Sequence, residues 1–301
     1  MEIHTLDLHF QRQPNTIASF LVIGPSGPVL VETGPMSTLA TLREQLASLG
    51  YRPADIRHVL VTHIHLDHAG AAGWWAQQGA RIYVHQVGAP HLVDPSRLLH
   101  SATRIYGDQM DSLWGQNLAA PAQQVVSVLD GQIIDVAGLS FVAIDTPGHA
   151  SHHHVYQLGN IAFAGDAAGI RIPGIFFVDL PAPPPEFKLE VWLNSIKLLL
   201  DQPFEALYLT HFGRLDDWRE QLEVLSGLMQ VATDFVWVRM NAGLERDQIL
   251  DDYRAWFNAR AQAGGMAAAT FDQYEAANPL YMSVDGIIRY WTKKARDGEN
   301  Q

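Results

Sequence analysis

The chain has 301 residues, of which 48% are hydrophobic and 17% charged, a balance that suits a well-buried globular enzyme more than a disordered chain. Its formal net charge of −12 argues against duplex nucleic acid as the main partner, because phosphate binding needs a basic surface. There is no cysteine, so disulfides are excluded and any metal must be held by His, Asp or Glu.

In chain order, residues 17–23 and 29–32 read as two strands joined by the turn Gly24-Pro25-Ser26-Gly27. Ser37 could cap a helix through Leu39, Leu42, Leu46 and Leu49 that stops at Gly50. The apolar run 59–61 predicts a buried strand, residues 69–78 a helix carrying Trp74 and Trp75, and residues 81–85 another strand. Alternating strand and helix predicts a layered α/β domain. Residues 86–124 are an irregular insert with short helices over 87–93 and 96–106, and inserts of this kind commonly build substrate pockets. Arg104, Tyr106, Met110 and Trp114 are its candidate pocket residues. Strands then resume over 125–129, 132–136, 139–144, 154–158, 161–164 and 206–209, with a helix over 186–200 after a proline-rich segment. From about residue 215 the apolar spacing is helical only, which divides the chain into residues 1–214 and a helical subdomain, 215–301, expected to act as a lid or a homodimer interface.

The start, Met1 to Asp7, shows no basic and apolar leader pattern, and no apolar stretch approaches the ~18 residues of a membrane span, so a cytoplasmic protein without membrane contact is expected.

Candidate ligands collect at strand ends. Directly after the run 59–61 come Thr62-His63-Ile64-His65-Leu66-Asp67-His68, three histidines and an aspartate within six residues. In extended chain His63 and His65 point to one side, and a turn at Asp67 and His68 would aim both back toward the same space. His149, Asp166 and His211 follow three later strands. Neutral imidazole and carboxylate are ligands that zinc, iron and manganese accept. Together these places supply enough donors for two metals, with Asp166 able to bridge them.

Order and spacing resemble the metallo-β-lactamase superfamily over roughly residues 15–213, through His63-x-His65-x-Asp67-His68, Thr146-Pro147-Gly148-His149, Gly165-Asp166 and Thr210-His211. Within that superfamily the chain looks like a hydrolase-like branch, similar in layout to glyoxalase II. The resemblance implies a four-layer αββα sandwich with a C-terminal helical extension and a metal cleft at one edge. It implies one ion on His63, His65 and His149, a second on Asp67, His68 and His211, and Asp166 shared. The cofactors expected are two divalent ions, zinc first, with iron or manganese as alternatives. The implied activity is hydrolysis of an ester, thioester, lactone or related carbonyl in a small-molecule substrate by hydroxide on the dinuclear centre. In it, Asp67 orients the nucleophile and takes its proton. The alternative is a persulfide dioxygenase with a single iron. Glu32 stands where the family commonly has Asp, and Gly169 where the homoserine-lactone lactonases have Tyr.

Other residues carry a blander expectation. His152 and His154 are read as non-ligands, His153 as a support of the metal site, and His85 as packing beside the cleft. Phe176, Phe177 and Trp192 could line an apolar pocket, with aromatic core as the default. Arg289, Lys293, Lys294 and Arg296 could hold an anionic thiol carrier, although cations in a last turn usually complement the helix dipole.

Overall fold

The computed structural model describes residues 2–299. Two six-stranded sheets are built in chain order. The first contains β1 (Glu2–Asp7), β2 (Ala18–Gly24), β3 (Gly27–Val31), β4 (His58–Leu60), β5 (Arg81–His85) and β6 (Val125–Val128). The second contains β7 (Ile133–Val136), β8 (Leu139–Asp145), β9 (His154–Leu158), β10 (Ile161–Phe163), β11 (Ala206–Leu209) and β12 (Gly213–Leu215). Strands β3 to β6 run parallel, as do β10 and β11, and the remaining neighbours are antiparallel.

Period-two alternation sorts the side chains into three layers of core. Phe20, Val22, Val31 and Leu60 face Phe141, Tyr156, Phe163 and Tyr208 between the sheets. The ring of Phe20 meets those of Phe163 and Tyr208 at centroid distances of 5.4 and 5.5 Å. Leu21 and Leu30 turn the other way, against Leu39, Leu42 and Leu46 of α1 (Leu39–Ser48). The short helices α2 (Leu66–Ala69), α3 (Ala72–Gln77), α4 (Ala89–Val93), α5 (Ser96–Tyr106) and α6 (Met110–Trp114) lie in the same half of the chain. A helix of α2's four residues has no stability of its own in water and is held by its packing.

The outer face of the second sheet, with Val155, Ala162 and Leu207, shares one core with the remaining helices. These are α7 (Leu189–Leu200), α8 (Trp218–Asn241), α9 (Arg246–Ala263), α10 (Ala268–Ala277) and α11 (Leu280–Glu299). Helix α8 presents Leu222, Leu225, Met229, Ala232 and Val236, an apolar stripe at helical spacing. The result is the expected αββα sandwich with helices at its C-terminal end.

Four details differ from the sequence reading. Strand β1 pairs with β2 although only Leu6 of it is buried, and β12 adds a three-residue edge. The helix expected over 69–78 is two, and Asp67 and His68 belong to the first of them. Helix α10 is held chiefly through Tyr274, its one buried residue. Among the described residues no helix is long and apolar enough to cross a membrane.

The sandwich places the ends of β3, β4, β8, β10 and β11 at one edge, where Glu32, His63, Thr146, Asp166 and His211 leave their strands. The backbone closes that edge across the sheets: the His154 amide donates to the Thr62 carbonyl at 2.8 Å, and the Ala18 amide to the Thr210 carbonyl at 2.8 Å.

Candidate metal centre

Two sets of donors meet around Asp166. In the first, Nδ1 of His65 lies 2.9 Å from Nε2 of His63 and 2.9 Å from Nε2 of His149. Oδ2 of Asp166 lies 3.1 Å from His149 Nε2. In the second, Oδ1 of the same carboxylate lies 3.3 Å from His68 Nε2 and 3.5 Å from His211 Nε2. Oδ2 of Asp67 completes it at 3.5 Å from His68 Nε2 and 3.4 Å from His211 Nε2. Within each set the ligating atoms all lie within 4.8 Å of one another. The two oxygens of Asp166 thus face different sets.

The hydrogens of these imidazoles are directed away from the centre. Nδ1 of His149 donates to the Pro181 carbonyl at 2.8 Å and Nδ1 of His211 to the Thr16 carbonyl at 2.6 Å. Thr62 Oγ1 donates to Glu32 Oε1 at 2.5 Å, so it accepts from His63 Nδ1 at 3.0 Å. His68 Nδ1 faces the same Glu32 oxygen at 3.3 Å. With Nδ1 of His63, His68, His149 and His211 carrying the proton, each Nε2 keeps its lone pair for the centre, whereas His65 presents Nδ1 to it. Lone pairs converging in a buried space repel unless a cation lies among them. Nε2 of His68 and Oδ1 of Asp166 are buried without a hydrogen bond, as ligand atoms for such a cation would be, and His68 Nδ1 meets Glu32 only as an ion-pair contact. The set fits divalent ions that take nitrogen and oxygen donors.

Charge follows the same division. Burial, reinforced by the neighbouring imidazoles, lowers the His65 pKa to about 3 and holds His63 well below the usual histidine range. Burial also favours neutral His68 and His211, but Asp166 and Asp67 outweigh it and raise both. Burial would raise the two carboxylates; the histidines around them outweigh it, taking Asp67 to about 2 and Asp166 well below the ordinary range. The second set therefore draws positive charge, and protons are its simplest source.

Supporting residues hold this geometry. Glu32, which stands where the family commonly has Asp, is buried, bonds the Thr62 hydroxyl that accepts from His63, and lies 3.3 Å from His68 Nδ1. His153 accepts the Asp166 amide at Nε2, 3.2 Å away, and its Nδ1 is 2.8 Å from Thr146 Oγ1. Gly165, at φ 50°, leaves room for this approach, since a Cβ there would stand 2.5 Å from Thr62 Oγ1 and 2.7 Å from His153 Nε2.

A third cluster is built otherwise. His154 Nε2 lies 2.6 Å and His85 Nε2 3.4 Å from Oδ1 of Asp145. Nδ1 of His85 accepts the Val87 amide at 3.0 Å, so in the neutral ring Nε2 carries the hydrogen and offers nothing to a cation. These residues clasp β5 of the first sheet to β8 and β9 of the second. His152 faces Glu186 instead, with Nε2 at 3.7 Å from Oε2.

A cleft of about 270 Å³ opens over the centre, with His65, Asp67, His149, Asp166 and His211 on its floor. Its walls are apolar, led by Phe10, Leu98, Ile105, Trp114 and Met282. The rings of Phe10 and Trp114 stack at 5.3 Å, and Tyr106 meets Trp114 edge-on at 5.0 Å. Of the candidate pocket residues, Tyr106 and Trp114 line the cleft, and Arg104, Phe176 and Phe177 do not. Arg104 is exposed, on the solvent side of α5. Phe176 lies outside under the Arg171 guanidinium, 4.3 Å from its ring centre. Phe177 is buried against Phe257 and Tyr274, where its apolar ring joins the core of the helical layer. Lys294 of the basic cluster is engaged by Glu190 and by the Tyr290 hydroxyl. Sequence reasoning missed Phe10, which follows β1, and the contribution of residues 276–279 and Met282 from the α10–α11 corner.

Comparison with known proteins agrees with this architecture. The family description of the metallo-beta-lactamase superfamily matches residues 12–211. The metallo-beta-lactamase fold-containing protein ST1585 of Sulfurisphaera tokodaii is 24% identical over 66% of this chain and 74% of its own length. An atrochrysone carboxyl ACP thioesterase of Aspergillus fumigatus is 33% identical over 113 residues, 37% of this chain and 27% of its own. The chain therefore spans only about a quarter of that fungal relative. In structure, a metallo-beta-lactamase family protein of Thermus thermophilus superposes with a TM-score of 0.69 at 20% identity, covering 97% of this chain and 94% of the other. With its fold, its motifs and two thirds of its length in agreement, the chain belongs to the metallo-beta-lactamase superfamily.

Proposed function

We propose that this protein is a metal-dependent hydrolase of ester, thioester or lactone carbonyls in small, largely apolar substrates. The observation that carries the reading is Asp166, whose two oxygens face two separate histidine sets with their lone pairs turned inward. His63, His65 and His149 would hold one divalent ion, Asp67, His68 and His211 the other, and Asp166 both. Zinc is the first choice, and iron or manganese the alternatives. Such ions, when bound, supply Lewis acidity toward a carbonyl oxygen and a water that ionises near neutral pH.

The chain's own residues do the rest. Asp67, ionised and open to the cleft, orients the attacking water and accepts its proton at the carboxylate. The apolar walls hold the acyl or leaving group and exclude bulk water, which strengthens the electrostatics on the floor. Residues 215–301 serve as a helical subdomain that completes the cleft, a reading supported by Asn278, Pro279 and Met282 in its wall. The thioesterase name of a fungal relative favours thioesters as first substrates.

The purified chain, loaded separately with zinc, manganese and iron, should be assayed on matched thioesters, esters and lactones in labelled water. Solvent oxygen in the acid product supports the proposal. Oxygen uptake coupled to turnover with iron would replace it by the dioxygenase reading.

A further inference from the structure

His149 reaches its place through a piece of chain with no regular structure. Its Nδ1 is held by the Pro181 carbonyl, and residues 179–182 are held in turn from two sides. On one side Asp179 and Ile170 exchange backbone hydrogen bonds of 3.0 and 3.1 Å. On the other stands the corner between α10 and α11. Nδ2 of Asn278 donates to Asp179 Oδ2 at 2.8 Å and to the Leu180 carbonyl at 3.1 Å. Ser283 Oγ donates to that carbonyl at 2.7 Å, and lies 3.3 Å from the Ala182 amide that it can accept. Helix α11 presses on the segment at Gly286, where a Cβ would stand 1.8 Å from the Ala182 carbonyl oxygen. Asn278 and Ser283 are both buried, so their groups have no water to fall back on.

We propose that Asn278 and Ser283 are positioning residues for His149: they fix residues 179–182 so that the Pro181 carbonyl holds the Nδ1 hydrogen and turns Nε2 into the centre. The C-terminal helices then do more than cover the cleft. They set the orientation of one donor of the first set from outside the sheets. The proposal rests on the metal-centre reading for its consequence, a tighter divalent ion, but not for the orientation itself.

The test uses the full chain, comparing the unchanged protein with Asn278→Ala, Ser283→Ala and Val236→Ala. Val236 is buried in the same helical layer and makes no hydrogen bond to the segment, so it reports on general loosening. In metal-free protein, nitrogen-15 spectra of the His149 ring should show the hydrogen on Nδ1, and a mixture of tautomers in the first two variants. Zinc affinity by chelator competition should fall about 10-fold in those two, and stay unchanged in Val236→Ala. An unaltered tautomer and affinity in both overturns the proposal, as does an equal loss in Val236→Ala. If Asn278→Ala does not fold, Ser283→Ala decides. If the unchanged protein takes up no zinc, manganese or iron, the metal-centre reading fails, and the tautomer alone still decides the positioning role.

Discussion

The donors of the metal centre and the His85–Asp145–His154 clasp are made of the same residue types at the ends of strands in the same two sheets. In the first, main-chain carbonyls and the Thr62–Glu32 pair take the Nδ1 hydrogens of His63, His149 and His211, leaving their Nε2 lone pairs pointing inward. In the second, a backbone amide occupies Nδ1 of His85, and its Nε2 hydrogen points inward to a carboxylate. The composition of a histidine cluster therefore says less about metal binding than the groups behind the rings do. His85 of the clasp turns a donor inward to a carboxylate, whereas the rings of the centre turn acceptors inward.

That contrast can be broken most forcefully at Asp166. Asp166→Ala removes the one carboxylate shared by both sets, and hydrolysis should fall by a factor on the order of 10³, with both ions weakened. Steady-state kinetics at saturating metal check this, and a variant that stays within tenfold of the unchanged protein would separate Asp166 from the chemistry. Glu32→Gln should act more mildly. The side chain keeps its shape but loses the charge that backs His63 and His68, so divalent-ion affinity should fall about 10-fold, measured by chelator competition.

Acidity sharpens the same comparison. His68 and His211 have raised pKa values in the metal-free protein, so they bind protons below those values and must release them to become ligands. Affinity at the second set should therefore rise with pH and fall as the solution is acidified. Calorimetry in buffers of different ionisation enthalpy should show proton release on metal uptake. Metal uptake with no proton release would contradict the assignment of these two histidines.

The clasp should respond in the opposite manner. Asp145→Ala leaves two largely buried imidazoles without their acceptor and should cost about 1–2 kcal/mol of stability in urea unfolding. It should leave metal affinity within a factor of about two, since none of its atoms serves the centre. A loss of one bound ion on this substitution would make the clasp a metal site.

Much of this was legible in the sequence, for definite reasons. A histidine or aspartate after an apolar strand is conspicuous, and each ligand candidate from His63 to His211 stands at such a place. The acceptors that decide the tautomers are not. The Pro181 and Thr16 carbonyls lie 32 and 195 residues from the rings they serve, and a main-chain carbonyl leaves no mark in a sequence. Strand β1 escaped notice because an edge strand with one buried residue lacks the apolar alternation that reveals half-buried strands. Helix α10, anchored by Tyr274, lacks a stripe for the same reason. Phe177 has the chemistry of a pocket residue, and only packing shows that its pocket is the core. Arg104 occupies the right insert on the wrong side of its helix.

The central claim is that one carboxylate joins two metal sets while the third histidine cluster takes no ion. Counting zinc equivalents per chain by elemental analysis, after loading and exhaustive dialysis, tests it most directly in the unchanged protein, Asp166→Ala and Asp145→Ala. The account predicts about two, well below one, and about two respectively. Two full equivalents retained by Asp166→Ala, or a third equivalent lost with Asp145, would contradict it.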